Sequence, residues 1–201
     1  MIDSPSAPSE LVRLRDLGRG RGLAAGLAAV LAGLDPAREA PGDVTVLPAD
    51  GLAGDVSVLP HPLAALEGLA LVRFPPGPAE RPSGLTGARS AALAAVRAGV
   101  LDRLLDAAVE RLETRRFAGL ALIDRQLVAA AIADVAVEIE LSTSAEAAWA
   151  AHERLTEAGW AVARLFGAEG FTVGHPARAL HLSALVADLW VARPAAADAE
   201  E

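Results

Sequence analysis

Proton transfer is the first chemistry to look for, and His175 and His181 flank the start of the last helical stretch of this sequence. A His near its ordinary pKa can move a proton at neutral pH, although surface or half-buried packing is the simpler account of two such residues. Glu138 and Glu140 stand two apart, so they cannot share a helix face and are not a paired-carboxylate site. Arg115 follows a long helical run, where a cation complements the helix dipole. Gln126 opens the next run as a polar N-terminal residue. Gly18 to Gly26, GRGRGLAAG, has glycines that suggest a phosphate-cradling turn. A dinucleotide fingerprint needs a strand before it, and the preceding LVRLRDL reads as helix. Cys is absent, and the four His are scattered without a partner at ligand spacing. No metal site, thiol nucleophile or disulfide is expected.

The 201 residues suffice for one domain, or for one domain with an appendage. With 53% hydrophobic and 22% charged residues a core can form, although much of the apolar share is Ala, which contributes little area per residue. Every basic residue is Arg, which with the abundant Ala, Gly and Pro has the look of a GC-rich bacterial gene. A net charge of -8 argues against a nucleic-acid or anionic-membrane surface; the one basic cluster is Arg13, Arg15, Arg19 and Arg21. The first ten residues lack a signal-peptide pattern, and the apolar run Leu23 to Leu34 is too short to span a bilayer. A soluble, cytoplasmic protein is expected.

These residues need elements to hold them. A helix-compatible stretch from Glu10 to about Leu34 is interrupted by Gly18, Gly20, Gly22, Gly26 and Gly33, and Asp35-Pro36 ends it. GDVTVLP (Gly42 to Pro48) and GDVSVLP (Gly54 to Pro60) form a short repeat with strand punctuation, and GLALVRF (Gly68 to Phe74) suggests a third strand. Pro75 to Pro82 reads as a linker. Beyond it, Ala92, Val96, Val100, Leu104, Ala108 and Leu112 recur at steps of four, predicting a helix from about Leu85 to Arg115. A second helix is predicted from Asp124 to Leu141. A third should start at the Thr143/Glu146 capping pair and run to Phe166, and a fourth should run from Pro176 to about Val191. Trp149 and Trp160 read as core or interface anchors. The division expected is a reduced helix-and-strand region over 1–80, a four-helix unit over 84–192 and a frayed tail over 193–201.

Three stretches resemble the helical-bundle domain of acyl-CoA dehydrogenases, in the family's order. GVLDRLLDAAVERLETRRFAG is similar to its long helix ending in an Arg-x-x-Phe-Gly turn. LIDRQLVAAAIADVAVEIE is similar to the next helix, with its Gln and its Ala-Asp-x-Ala-x-Glu-x-Glu run. LFGAEGFTVGHPARAL is similar to the Gly-Gly-x-Gly-Phe/Tyr turn leading into the last helix. The resemblance implies a mainly α fold: a four-helix bundle like that domain, preceded by a small helix-plus-β-strand region. It also implies FAD as the family cofactor and assembly through the bundle. It places on Arg115 the turn arginine that contacts the FAD pyrophosphate across the dimer, where a guanidinium offers paired donors. It places the adenosine-side Gln on Gln126 and the turn glycine on Gly119. Ala118 stands where the family has Phe, with Phe117 one position early. In the second turn Gly167, Gly170 and Phe171 match, Ala168 replaces a Gly, and Arg164 replaces the preceding Gln.

The resemblance also marks departures. The family's base is a Glu in a segment after the last helix, where this chain has Val191, Ala192 and Arg193; the alternative position on the first bundle helix falls near Arg89. The family's Arg-Asp pair falls on Leu182 and Ser183. The family's N-terminal helical domain and most of its middle β domain have no counterpart here. A general base contributes typically about 10²–10⁴-fold, so its loss removes the redox step unless another group replaces it. Asp188, one helical turn before Val191, is the replacement by spacing, and otherwise a solvated carboxylate at a helix end. Three readings follow. The leading one is a non-catalytic or half-site subunit pairing, as homodimer or heteromer, with a full-length flavin-dependent acyl-thioester dehydrogenase. It would lend Arg115, Gln126 and the glycines Gly119, Gly167 and Gly170 to FAD that this chain does not hold tightly alone. The second is a flavin-free enzyme that isomerises or cyclises an acyl or polyketide biosynthetic intermediate in the bundle cleft. The third is an FAD-dependent acyl-CoA dehydrogenase with a relocated base.

Overall fold

The computed structural model describes residues 8–75, 84–142 and 148–192. Its axis is the helix Gly87–Thr114. The spacing read from the sequence is realised there: Ala92, Val96, Val100, Leu104, Ala108 and Leu112 are all buried. Every residue from Ala92 to Leu101 is buried, so over that stretch the helix is enclosed on all sides. A helix that is apolar all round has to be an interior one, and the rest of the chain wraps it.

Numbered in chain order, the helices are α1 (Pro8–Val30), α2 (Pro36–Glu39), α3 (Pro62–Leu66), α4 (Gly87–Thr114), α5 (Gln126–Leu141), α6 (Ala148–Leu165) and α7 (Arg178–Trp190). The strands are β1 (Val44–Pro48), β2 (Ser57–Leu59), β3 (Leu69–Arg73), β4 (Arg116–Phe117) and β5 (Leu120–Ala121). The mainly helical architecture and the strand-bearing N-terminal region match the sequence reading. The short helices α2 and α3 were not anticipated; each begins at a Pro behind a capping side chain, Asp35 and His61. α5 starts at Gln126, after a 3₁₀ turn over Leu122–Asp124, and α7 starts at Arg178, two residues past Pro176. The linker beyond Pro75, the Thr143/Glu146 capping pair and the tail from Arg193 lie outside the described residues.

The glycines of α1 prove to be contact points more than interruptions. Only Gly22 leaves helical geometry, at φ 81° and ψ -175°. A Cβ at Gly18 would overlap the Val96 carbonyl oxygen, one at Gly26 would overlap the Val96 side chain, and one at Gly99 would overlap the Arg15 carbonyl. The two helices therefore meet backbone to backbone. Ion pairs flank the seam. Arg15 grips Asp102 with two donors, at 2.6 and 3.1 Å, and reaches Glu140 Oε1 of α5 at 2.7 Å. Those two carboxylates hold the Arg15 pKa above its ordinary value, and Glu140 is correspondingly pulled down. Arg19 pairs with Asp106. Two of the four arginines in the N-terminal cluster are thus occupied internally.

β1 and β2 lie on opposite sides of β3, both antiparallel to it. Their near-identical sequences are not used identically. Thr45 and Val58 face Val72, whereas the repeat would equate Thr45 with Ser57; β2 is one residue out of step. A one-residue slip moves every side chain to the other face. Val46, on the strand that packs against α1 and α7, is fully buried, while its repeat equivalent Val58, on the outer strand β2, is 59% exposed. The sheet is locked to the bundle by Trp190, fully buried, whose Nε1 donates to Val46 O at 2.8 Å. Leu85 N donates to Trp190 O, and Ala192 N donates to Leu85 O. A single buried cluster runs through α1, the sheet and the bundle.

Gly99→Ala is expected to destabilise the protein by about 1–3 kcal/mol or more in urea unfolding, because the added methyl pushes α1 off α4. Gly20→Ala, in open space on the same helix, should be neutral or stabilising by up to about 1 kcal/mol. Equal effects at the two sites would refute the backbone-contact seam.

Candidate functional site

The turn after α4 is a tight hairpin. β4 and β5 are joined through Ala118 (φ 52°) and Gly119 (φ 83°), the pair of left-handed residues that a two-residue turn demands. Gly supplies that conformation freely at Gly119; Ala118 adopts it at some steric cost. The Arg125 guanidinium stacks 4.9 Å from the Phe117 ring centroid and donates to Phe117 O at 2.9 Å, fixing the hairpin against the start of α5. Arg115 is the C-terminal flanking residue of α4, and Gln126 is the first residue of α5. Both are exposed.

The second turn folds onto the first. Gly167 to Phe171 forms a 3₁₀ turn. Gly170 is required there, because a Cβ would overlap Ala163 O at the end of α6. Between the glycines, Glu169 accepts an ion pair from Arg111 at 2.6 Å and one from Arg115 at 3.7 Å. The fold thus brings Arg115, Gly167 and Gly170 together. An anion approaching Arg115 has to compete with the Glu169 carboxylate.

The catalytic candidates do not converge. His175 Nδ1 accepts from Ala177 N at 3.1 Å, and its ring packs on Phe166 at 4.5 Å between centroids. His181 meets Trp160 edge-on at 4.6 Å. Both make structural contacts. Asp188 is exposed on α7, beside a different cavity described below. Val191, where the resemblance would place the base, is buried and strapped to Leu85. Arg89, at the alternative position, donates to Val30 O at 2.7 Å and so caps the end of α1. Glu138 and Glu140 diverge, toward Arg154 and Arg15.

Sequence reasoning missed the most unusual polar group in the molecule. Arg97 lies mid-way along α4 and is 1% exposed. Its Nε donates to Ser183 Oγ of α7 at 2.9 Å, Nη2 to Thr156 Oγ1 of α6 at 2.7 Å, and Nη1 to His152 O at 3.0 Å and His152 Nδ1 at 2.8 Å. A guanidinium can only donate, so Nδ1 accepts, and His152 is the neutral tautomer with its proton on Nε2. That proton faces Ser90 O and Ser90 Oγ, each at 3.2 Å. Burial pulls the Arg97 pKa down to about 9, against the opposing charge of Asp188. Burial, with Arg97 adding to it, pulls His152 down to about 3. The signal was present in AALAAVRAGVL: a lone charge inside an all-apolar helical run.

His152 and Thr156 also line a cavity of about 590 Å³ between α6 and α7, with Trp149, Glu153, Glu157 and Asp188. Arg115 and Gln126 line neither this cavity nor the more apolar one considered below. Among the described residues no three His, Asp or Glu side chains are grouped to hold a metal ion, and no helix is long and apolar enough to cross a membrane.

The depressed His152 pKa has a definite sign. Between 6.5 and about 3 the unfolded chain takes up a proton that the folded chain refuses. Its contribution is complete above pH 6.5 and is lost as pH falls toward 3. From about pH 7 to about pH 5, the wild type should lose about 2 kcal/mol more unfolding free energy than His152→Asn. Parallel losses would mean that His152 is not held neutral.

The family profile described as acyl-CoA dehydrogenase, C-terminal domain, matches residues 83–169. The match runs from the approach to α4 through α5 and α6 to Glu169. It takes in the hairpin, Arg115, Gln126 and the first glycine of the second turn. No curated protein matches the chain. Members of this family depend in general on FAD, and they oligomerise. Over residues 83–169, less than half of its length, the chain is similar to the C-terminal helical domain of acyl-CoA dehydrogenases.

Proposed function

We propose that this chain is a docking and site-completing subunit for a flavin-dependent acyl-thioester dehydrogenase, and that it does not itself abstract the substrate proton. One observation carries the reading. The hairpin and α5 leave a set of large apolar side chains to solvent: Leu127 at 86% exposure, with Phe117, Leu120, Val137 and Leu141 also exposed. Exposed apolar surface of this kind mostly marks protein contacts. Arg115 and Gln126 sit at the same end of α5. They fit FAD as one wall only: the Arg115 guanidinium, shared with Glu169, and the Gln126 amide are exposed, but neither lines an enclosed cavity. FAD would supply the hydride acceptor; this chain's part would be to position its phosphates and adenosine side. The residues at the two base positions, Val191 and Arg89, support a non-catalytic role, since one is apolar and the other is engaged at the end of α1.

A second reading has its own observation, the cavity next to Arg97 and His152. A buried polar cluster beside a cleft suits a flavin-free isomerisation or cyclisation of an acyl intermediate.

Sedimentation and visible spectroscopy separate these. The wild type is expected to self-associate or co-purify with a partner subunit, and to keep no flavin band alone after gel filtration with FAD. Leu127→Arg with Val137→Glu should abolish association while changing unfolding free energy by no more than about 0.5 kcal/mol, because both sites are exposed. A monomeric, partnerless wild type would sink the docking reading. Flavin retained by isolated monomers would reinstate a self-sufficient dehydrogenase.

A further inference from the structure

We propose that the N-terminal region carries a binding site for a small apolar molecule bearing a basic nitrogen, in the cavity between the end of α1, α2 and the β1–β2 loop. The cavity measures about 460 Å³, within the range of small-molecule sites. Leu31, Leu47 and Phe74, all buried, form its floor, and Leu52 closes one side. An apolar body fits such walls.

The mouth carries one sign of charge. Asp35, Asp50 and Asp55 line it, and no described lining residue is basic. Asp35 is committed elsewhere: it caps α2 by accepting from Ala37 N at 3.1 Å and pairs with Arg38 at 3.3 Å. Asp50 and Asp55 are not. They lie on the β1–β2 loop and make no hydrogen bond or ion pair with any described residue. Gly51 (φ 91°) and Gly54 (φ 87°) turn the loop so that both aspartates reach the same mouth. An apolar cavity rimmed by uncompensated carboxylates selects a cation over a neutral or anionic isostere. An ammonium or protonated amine at the mouth, with its carbon skeleton on Phe74 and Leu47, satisfies both halves. The site lies outside the family-matched segment and does not depend on the docking role above.

Three isosteric probes test it: 4-phenylbutylamine, 4-phenylbutanol and 4-phenylbutyrate, titrated calorimetrically into the full chain. The amine should bind about tenfold tighter than the alcohol, and the acid more weakly than either. Asp50→Asn with Asp55→Asn should bring the amine down to the alcohol's affinity and leave alcohol binding intact. Leu52→Trp, which fills the cavity, should weaken all three. Equal binding of acid and amine, or an amine preference that survives the double substitution, overturns the proposal. So does a folded wild type that binds none of them. If none binds but Leu52→Arg changes the sedimenting mass, the cavity is a protein contact and the proposal also fails.

Discussion

A charge buried at the centre of the bundle sets the terms for the rest of it. Taking a guanidinium out of water costs several kcal/mol, and among the described residues no carboxylate is hydrogen-bonded to Arg97 to offset this. Four hydrogen bonds from a charged donor, each worth about 1.5–3 kcal/mol, bring the account near balance, and only while all three partner residues stay in place. Those partners come from two helices: His152 and Thr156 on α6, Ser183 on α7. Apolar side chains would tolerate sliding between such helices; a fork of fixed N–H directions does not. Arg97 therefore dictates the relative register of α4, α6 and α7, and through His152 it also fixes the neutral ring that faces Ser90.

On the opposite side of α4 the constraint is steric. The glycines at 18, 26 and 99 let α1 approach closely enough for backbone atoms to touch, and Arg15 then bridges α1 to both α4 and α5. The N-terminal region is thereby joined to the bundle by helix packing, by the Trp190–Val46 hydrogen bond and by the Leu85 strap. What remains outward-facing is the hairpin and α5, the part of the family-matched segment with the least internal work. α5 buries Val135 and Ile139 against its neighbours, and Leu127, Val137 and Leu141 are left to solvent on its outer side.

Periodicity made the bundle legible. The steps of four along α4 are a local property, and local patterns survive into structure when one face meets a core. Strands were readable from Gly-Asp and Pro punctuation for the same reason. The glycines of α1 misled because glycine has two uses: it frees the backbone, or it removes a side chain so that another backbone can come close. Sequence alone does not separate them, and only Gly22 proved to be the first kind. Arg115 and the glycines of the second turn come together in the fold, and Glu169 between those glycines went unread as the carboxylate that pairs with Arg115. Arg97 was missed because its partners are 55 to 86 residues away. No window of sequence holds that contact, although a solitary charge in an alanine-rich run was a visible anomaly.

The two settings of the repeat have a consequence of another kind. Two segments of nearly the same sequence flank one strand, yet only the first packs against α1 and α7 and is obliged to fill the interior. Val46 and Leu47 must match the shapes around them, whereas Val58 at the edge answers to solvent. The second copy is thus relieved of the demands of packing, and its Gly-Asp opening is free to serve the loop rather than the strand. Asp43, heading the first copy, has its carbonyl tied to Phe74 N; Asp55, heading the second, lines the cavity beside the β1–β2 loop. Redundancy in sequence, set once against the bundle and once on an outer strand, leaves the second Gly-Asp pair to serve a cavity rim at no cost to the core.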